Sequence, residues 1–380
     1  MNRSTDRLLT THTGSLPRPA DLVTMMWAQM DGEDVDPAAL DALVRSAVRD
    51  VVGRQQAVGI DLVSDGEMSK TGFSNYVHQR FSGFSGNAQM VAADLEAMPG
   101  LAARIFGNEA GAHIVMRNCT GPIELTDPQA VLTDIEHLEA ALDGADPGTA
   151  FMNAPTPGQI VFNNPNQHYP SHEAYLEAVA DAMRYEYRAI IDAGLELQLD
   201  SPDLAMAQHF RSEGTDIDEF HRHVEQAIEA LNHALEGLPS EMVRLHVCWG
   251  NYPGPHHCDV ALAEIIQPVL RANADVVSFE AANPRHEHEY ELFEDLRLPD
   301  GKVLMPGVVD VQTNRIEHPR LIAQRLIRFA ELVGRENVIA GTDCGLGTFV
   351  GWETTHPEIG WKKLESLVEG AQLASAELWR

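Results

Sequence analysis

His246 and Cys248 lie two positions apart in the segment RLHVCWG, inside a short apolar run that predicts a β-strand. Alternate side chains of a strand point to the same face, so the imidazole and the thiol point to one side together. Glu280 ends a later apolar run, Cys344 follows another, and both could join them around one ion. Imidazole combined with thiolates favours Zn2+. The alternative is that His246 is a hydrogen-bonded core histidine and the cysteines are small buried apolar side chains.

A second group of ligand types occurs in GPHHCDV, where His256, His257 and Cys258 are consecutive. Consecutive residues lack the spacing with which zinc ligands usually occur. We therefore expect the two histidines to act near the substrate and Cys258 to be structural. Cys119 has no such neighbours, and four scattered cysteines are too few for a disulfide scaffold.

Polar residues end or follow all eight short apolar runs of the chain. They are His12 and Ser15, Asp65 and Glu67, Asn153, Asp200, His246 and Cys248, Glu280, Asp310, and Asp343 and Cys344. Burying carboxylates and imidazoles is costly unless they bind something. If the runs are strands of one barrel, these residues meet at its carboxyl-terminal face and predict a functional site there.

The elements that must position these residues are short strands alternating with amphipathic helices. The apolar runs span residues 7–11, 60–64, 149–153, 195–200, 243–248, 275–280, 302–309 and 337–342. Eight strands that alternate with helices predict an α/β fold, a (β/α)8 TIM barrel, as a single catalytic domain over residues 1–380. An open doubly wound sheet competes with this prediction, but HTGSLPRP lacks the glycine spacing of a phosphate-binding loop.

Helix signals and one long connection refine this prediction. Asp36 before Pro37 predicts the start of a helix over 37–56, and Ser171 predicts one over 172–193. Residues 259–271 also have helical spacing. The segment at about 82–147 is long for one strand-to-helix connection, so we expect an insertion after the second strand, in which HIVMRNCTGPIEL could form a small hairpin.

The charge of the chain excludes some classes of function. The 380 residues include 27 Lys and Arg against 57 Asp and Glu, which gives a net charge of −30. Such a surface repels nucleic acid and anionic lipid, so neither is expected as a partner. No run approaches the roughly 20 apolar residues of a membrane span, and MNRSTDRLL lacks the apolar core of a signal peptide. These features predict a cytoplasmic protein.

The chain resembles the catalytic half of cobalamin-independent methionine synthase and its shorter relatives. The resemblance is carried by THTGSLPRP, DLVSDGEMSKTGFSNYV, LELQLDSPD, RLHVCWG, DVVSFEA, MPGVVDVQTN and AGTDCGLGTFVGW, which span nearly the whole chain. It implies the same barrel and places the zinc ligands of the family on His246, Cys248, Glu280 and Cys344. It also implies that Ser15, Glu67 and Asp200 bind the amino-acid part of homocysteine.

Two positions depart from the family pattern. Methionine synthases have Asp-Glu-Pro where this chain has Asp200, Ser201 and Pro202, and they have Tyr-Asp-Ile-His where this chain ends the segment in Gln312. A glutamine cannot supply the proton that a folate leaving group requires. The second departure therefore weakens the case for a folate methyl donor.

Three functions follow from the resemblance and its departures. The first is zinc-dependent transfer of a methyl or alkyl group to homocysteine or a similar small thiol, as in methionine biosynthesis, with a methylfolate as one candidate donor. The second is the opening of an epoxide by a zinc-bound thiolate, as in epoxyalkane:coenzyme M transferase. The third is a zinc-binding barrel without catalysis. A porphyrinogen decarboxylase-like barrel would not need this set of ligands.

Residue type alone suggests further site residues. The candidates for the general acid that protonates the leaving group are His12, His256, His257 and Tyr76. Substrate-binding cations that could hold an anionic group are Arg18, Lys70 and Arg285. The alternative for the arginines is pairing with the many surface carboxylates of an acidic protein. The aromatic residues of GFSNYV, CWGNYPG and FVGW are expected to serve mainly in packing.

Overall fold

A computed structural model describes residues 2–88, 90, 92–210 and 216–380. Within them the chain forms ten β-strands. These are β1 (Leu9–Thr10), β2 (Val63–Ser64), β3 (Phe84–Ala88), β4 (Met116–Cys119), β5 (Ala150–Pro155), β6 (Glu196–Asp200), β7 (Val243–Val247), β8 (Val276–Phe279), β9 (Val303–Pro306) and β10 (Ile339–Ala340). Each of the eight apolar runs overlaps one strand, with β5 extending two residues beyond its run, while β3 and β4 lie in the segment predicted to be an insertion.

Eight parallel strands close into a barrel. Six of them form one sheet in the order β2-β5-β6-β7-β8-β9, and β1 pairs with β10. Parallel bridges from Leu304 to Val338 and from Gly307 to Gly341 join β9 to β10. The carbonyl oxygen of Thr10 accepts hydrogen bonds from the amides of Asp61 and Leu62, which joins β1 to β2. The ring of strands is the predicted (β/α)8 barrel.

Fifteen α-helices lie in the described residues. They are α1 (Ala20–Met30), α2 (Pro37–Val58), α3 (Val77–Arg80), α4 (Ala93–Glu96), α5 (Pro99–Phe106), α6 (Glu109–Ala112), α7 (Gln129–Leu142), α8 (Pro157–Asn163), α9 (His172–Asp192), α10 (Asp203–Met206), α11 (Ile217–Ala234), α12 (Ile266–Leu270), α13 (Leu292–Asp295), α14 (Pro319–Val333) and α15 (Pro357–Leu378). None of the described helices is both long enough and apolar enough to cross a membrane.

The predicted helix starts are correct where a side chain caps the helix. Asp36 accepts a hydrogen bond from the amide of Ala38 at 3.0 Å, and Ser171 accepts one from the amide of Ala174 at 3.2 Å. The prediction of one helix over 259–271 is wrong, because only the short helix α12 forms there, after a 3-10 turn. Asp259 does not cap a helix, because its carboxylate contacts two histidine rings instead.

The segment 82–147 contains more than one kind of structure. Strand β3 pairs with β4 in antiparallel fashion, and α4, α5 and α6 lie between them. The predicted hairpin within HIVMRNCTGPIEL is wrong in its pairing, since β4 pairs with the earlier strand β3, and Pro122 has no amide hydrogen to continue a ladder. Helix α7 packs against α2 and α9 in the outer helical layer. The treatment of residues 1–380 as one domain with an insertion stays a prediction.

Buried side chains below the polar strand ends pack both inside and outside the barrel. Leu62, Phe151, Val276, Val303, Met305 and Ile339 form an apolar cluster inside it. The guanidinium of Arg244 lies 4.0 Å from the centre of the Phe151 ring and donates a hydrogen bond to Gln198 at 2.7 Å. Outside the barrel, Arg80 forms buried ion pairs with Asp134 and Glu186. The polar strand ends therefore rest on a packed base.

Candidate active site

A histidine and two cysteines meet at the carboxyl ends of β7 and β10. Their ligand atoms, from His246, Cys248 and Cys344, all lie within 4.8 Å of one another, and the two sulfur atoms are 3.6 Å apart. The ring of His246 contacts the Ser278 hydroxyl through Nδ1 at 3.1 Å, while its buried Nε2 has no hydrogen-bond partner among the described residues. One nitrogen and two sulfurs converging in this way fit a zinc ion. We call these three residues the zinc cluster.

Local structure explains how the zinc cluster forms. His246 and Cys248 occupy alternate positions at the end of β7, so their side chains share a face. The amide of Gly250 donates a hydrogen bond to the Cys248 sulfur at 3.3 Å. Burial lowers the pKa of His246 to about 3 and keeps the ring neutral, which is the form that binds a metal. The neighbouring Cys344 thiol, together with burial, raises the pKa of Cys248 well above its usual range.

Glu280, the predicted fourth ligand, lies beside the zinc cluster but outside it. Its carboxylate accepts a hydrogen bond from the Trp249 amide at 2.9 Å and another from the Asn283 side chain at 2.6 Å. Among the described residues, its oxygens do not belong to the group of ligand atoms that all lie within 4.8 Å of one another. The carboxylate still lies close enough for its charge to raise the pKa of Cys248. Its role as a ligand stays a prediction.

Two buried carboxyl groups share a cavity with the zinc cluster. Asp200 accepts hydrogen bonds from Asn153 at 2.9 Å and from Gln198 at 3.0 Å, and burial raises its pKa to about 6. Burial raises the pKa of Glu67 to about 8, and its Oε2 atom has no hydrogen-bond partner among the described residues. Ser15 lines the same cavity. The structure thus brings the predicted amino-acid-binding set next to the predicted metal ligands.

The cavity has a volume of about 550 Å³ and two unlike halves. Its polar half contains the zinc cluster, Ser15, Glu67 and Asp200. Its apolar half is formed by side chains from the segment between β3 and β4 and by aromatic residues of later loops, including Phe210, Phe349 and Trp352. A volume of this size suits a small organic ligand.

Gln198 and Asn251 are polar groups at the site that residue type alone did not suggest. Gln198 stands two positions before Asp200 in β6, so the period of the strand places both on one face and could have revealed it. Asn251 lines the cavity and donates hydrogen bonds to the Gly345 carbonyl at 2.8 Å and to the Thr348 hydroxyl at 2.6 Å. It fixes the loop after β7 against the loop after β10.

His12 and Tyr76, two of the predicted proton donors, do not line the cavity. The Nε2 atom of His12 contacts Gln55 at 2.7 Å, its Nδ1 accepts from the Gly14 amide at 3.1 Å, and burial lowers its pKa to about 4. The hydroxyl of Tyr76 donates to the carboxylate of Glu186. Burial, followed by the charge of that carboxylate, raises the pKa of Tyr76 well above its usual range. Their role as proton donors stays a prediction, although these partners occupy their polar atoms.

The predicted histidine pair is also outside the cavity lining. His256 contacts the Asp259 carboxylate through Nδ1 at 3.0 Å and the Tyr252 carbonyl through Nε2 at 2.9 Å. Burial alone would lower the pKa of His256, but the hydrogen bond to Asp259 outweighs it, and the pKa is raised. His257 is exposed. No described hydrogen bond joins either ring to the zinc cluster, so their role as acids stays a prediction.

The two predicted cations near the site bind the protein itself. Arg18 is buried, and its guanidinium donates to the carbonyl oxygens of Gly347 at 2.7 Å and of Glu67 and Lys70 at 2.8 Å. Lys70 is buried too, and its Nζ atom donates to the Asn153 carbonyl. Neither side chain is among the described residues that line the cavity, and the binding of a substrate anion by Arg18 or Lys70 stays a prediction.

Residues 166–371 match the model of a family described as the catalytic domain of cobalamin-independent synthase. The chain belongs to this family. The predicted resemblance is therefore confirmed.

Relatives of this cobalamin-independent synthase family match along almost the full chain. A methionine synthase from Sulfolobus acidocaldarius is 25% identical, covering 98% of this chain and 93% of the relative. A 2-hydroxypropyl-CoM lyase from Xanthobacter autotrophicus is 23% identical, covering 97% of this chain and 95% of the relative. The solved structure of a B12-independent methionine synthase from Shewanella sp. W3-18-1 in complex with selenomethionine has a TM-score of 0.74 and 22% identity, covering 98% of this chain and 99% of that chain. This likeness confirms the TIM barrel.

Proposed function

We propose that the protein is a zinc-dependent enzyme that transfers a methyl or alkyl group to a small thiol. The observation that carries this proposal is the convergence of His246, Cys248 and Cys344 on one point inside a cavity that is large enough for a small organic ligand. The similarity to methionine synthases and to a CoM lyase supports transfer to sulfur as the reaction class.

The residues present fit a zinc ion. The two sulfurs and the free Nε2 of His246 would hold it, and Glu280 is the proposed fourth protein ligand. Such an ion would favour the deprotonated form of a substrate thiol near neutral pH. The hydroxyl of Ser278 orients the His246 ring, and the Gly250 amide supports negative charge on Cys248.

Glu67 and Asp200 make an aminothiol such as homocysteine the favoured acceptor. Both carboxyl groups are buried and line the cavity, and each is held partly neutral by burial. An ammonium group between them would supply the positive charge that favours the ionised form of each carboxyl. Asn153 and Gln198 fix the Asp200 carboxylate for this contact. A sulfonated thiol would lack this positive charge and would meet repulsion from the ionised Asp200 carboxylate.

The reaction balances without an external oxidant or reductant. A sulfur–carbon bond forms while the bond from that carbon to its leaving group breaks, and the leaving group keeps the electron pair of the broken bond. The acceptor thiol gives up one proton and the leaving group takes up one. Atoms and charge are therefore conserved in the overall transfer.

A second candidate donor is an epoxide, whose opening places the leaving oxygen on the product. The observation that favours it is Gln312, whose Nε2 atom donates to the Gly250 carbonyl at 3.1 Å. An amide in this position cannot act as the acid for a folate nitrogen. The similarity to the CoM lyase is consistent with this alternative.

The test is thioether formation by the zinc-loaded protein. Homocysteine is supplied with a methylfolate in one reaction and with epoxypropane in another, and products are identified by mass spectrometry. We expect a thioether with at least one donor from the wild type and from Cys258→Ser, and none from Cys344→Ala. A zinc-loaded protein that forms no thioether with either donor would support the non-catalytic barrel instead. The cytoplasmic location stays a prediction.

A further inference from the structure

The apolar half of the cavity is a built feature of the fold. Helices α4, α5 and α6 pack over the mouth of the barrel, and their apolar side chains join residues of the loops after β7 and β10 in one hydrophobic cluster. We define the apolar chamber as the six lining residues Ala92, Leu95, Phe106, Ile114, Phe210 and Trp352. The ring of Phe106 stacks on that of Trp352, with centroids 5.2 Å apart.

Asp94 connects helices α4, α5 and α6 to the barrel. Its buried Oδ2 atom accepts a hydrogen bond from the Tyr252 hydroxyl at 2.8 Å and one from the His256 amide at 2.9 Å. The amide of Ala93 donates to the His209 carbonyl at 2.7 Å. These bonds connect the start of α4 to two separate loops of the barrel. The apolar chamber is therefore held in a fixed place above the zinc cluster.

We infer that the apolar chamber binds the alkyl donor and selects one whose bulk is uncharged and apolar. The inference rests on the proposed function, because the chamber opens on the same cavity as the zinc cluster. It adds the chemical class of the donor, which the proposed function leaves open between a folate, which carries carboxylates, and a neutral epoxide.

Charge and solvation decide between these classes. An anionic group inside the chamber would lose its hydration against aromatic and aliphatic side chains, which is unfavourable unless a cation replaces the water. Within the described lining of the cavity the ionised carboxylate of Asp200 would repel it further. The cations Arg18 and Lys70 are not among the described residues that line the cavity, and both donate to backbone carbonyls. An apolar group, by contrast, gains free energy from the area it buries.

Fragment binding to the full-length, zinc-loaded protein tests this inference without turnover. Benzyl alcohol and benzoate have the same ring and differ in charge, and their dissociation constants can be measured by ligand-observed NMR. We expect benzyl alcohol to bind at least about tenfold more tightly than benzoate. Ile114→Lys adds a cation to the chamber wall and should remove this preference. Leu373→Lys makes the same change at an exposed site on α15 and should leave the preference intact.

Three outcomes would overturn the inference. They are equal or tighter binding of benzoate by the wild type, no binding of benzyl alcohol, and equal effects of the two lysine variants. Failure of the proposed function has a different signature, since homocysteine would then give no thioether whatever the fragments do. A wild type that alkylates homocysteine yet prefers benzoate would refute the donor class alone.

Discussion

Replacing Glu67 with glutamine should flatten one part of the pH dependence of stability. Burial raises the pKa of Glu67 from its ordinary value of 4.5 to about 8 in the folded protein. A carboxyl group with a raised pKa stabilises the fold fully below its unfolded pKa, and this contribution is lost as the pH rises through the folded value. Glutamine is uncharged and has nearly the same shape, so the variant lacks this loss.

The size of the effect follows from the same two pKa values. A pKa difference of one unit corresponds to about 1.4 kcal/mol. Between about pH 5.5 and about pH 8.5 the free energy of unfolding of the wild type should therefore fall by about 3 kcal/mol relative to that of Glu67→Gln. The side chain is buried, at 1% relative exposure, so solvent screening does not reduce this figure appreciably. The variant should therefore be the more stable protein at the alkaline end.

Urea unfolding at a series of pH values measures this difference directly. Using the difference between the two proteins removes the contribution of all other titrating groups that they share. Glu139→Gln, on the exposed side of α7, serves as the matched control and should parallel the wild type to within about 0.5 kcal/mol. A difference between wild type and Glu67→Gln that stays constant over this pH range would refute the reasoning about Glu67.

Three further predictions concern the metal site, the buried ion pairs of Arg80, and helices α4 to α6. Cys248→Ser should lower the zinc content from one ion per chain towards zero by elemental analysis, whereas Cys258→Ser should keep it. Arg80→Met removes the ion-pair partner of the buried Asp134 and Glu186 carboxylates and should lower the free energy of unfolding in urea by about 3–5 kcal/mol. Arg45→Met, which removes an exposed ion pair, should change this free energy by about 0.5 kcal/mol or less. Asp94→Asn should lower the free energy of unfolding by about 1–3 kcal/mol and speed amide hydrogen exchange in α4 to α6. Unchanged exchange would contradict the role of Asp94 in attaching these helices to the barrel.

The barrel could be predicted because its signals are local. Each strand is a run of apolar residues, and each run ends in polar side chains at the same face of the fold. The pair of His246 and Cys248 needed only the period of a strand. Residues 259–271 were harder, since whether Asp259 caps a helix or binds histidines depends on residues distant in sequence.

Residue type alone does not show which candidate proton donor lines the cavity. His12 and Tyr76 have the right chemistry, but Gln55 and Glu186 occupy their polar atoms, and these partners come from other parts of the chain. The position of the Glu280 carboxylate likewise depends on its hydrogen-bond donors in the folded state. The apolar chamber was missed for a related reason, because aromatic residues that line a cavity have the same sequence pattern as those that fill a core.

Zinc content together with zinc-edge X-ray absorption, with and without homocysteine, tests the central claim most directly. The zinc cluster predicts one zinc per chain with two sulfur neighbours in the free protein, rising to three when homocysteine is added. Cys258→Ser should give the same counts. Absence of zinc from protein prepared with it, or a sulfur count that homocysteine leaves unchanged, would contradict the claim that the cluster binds zinc and presents it to a thiol.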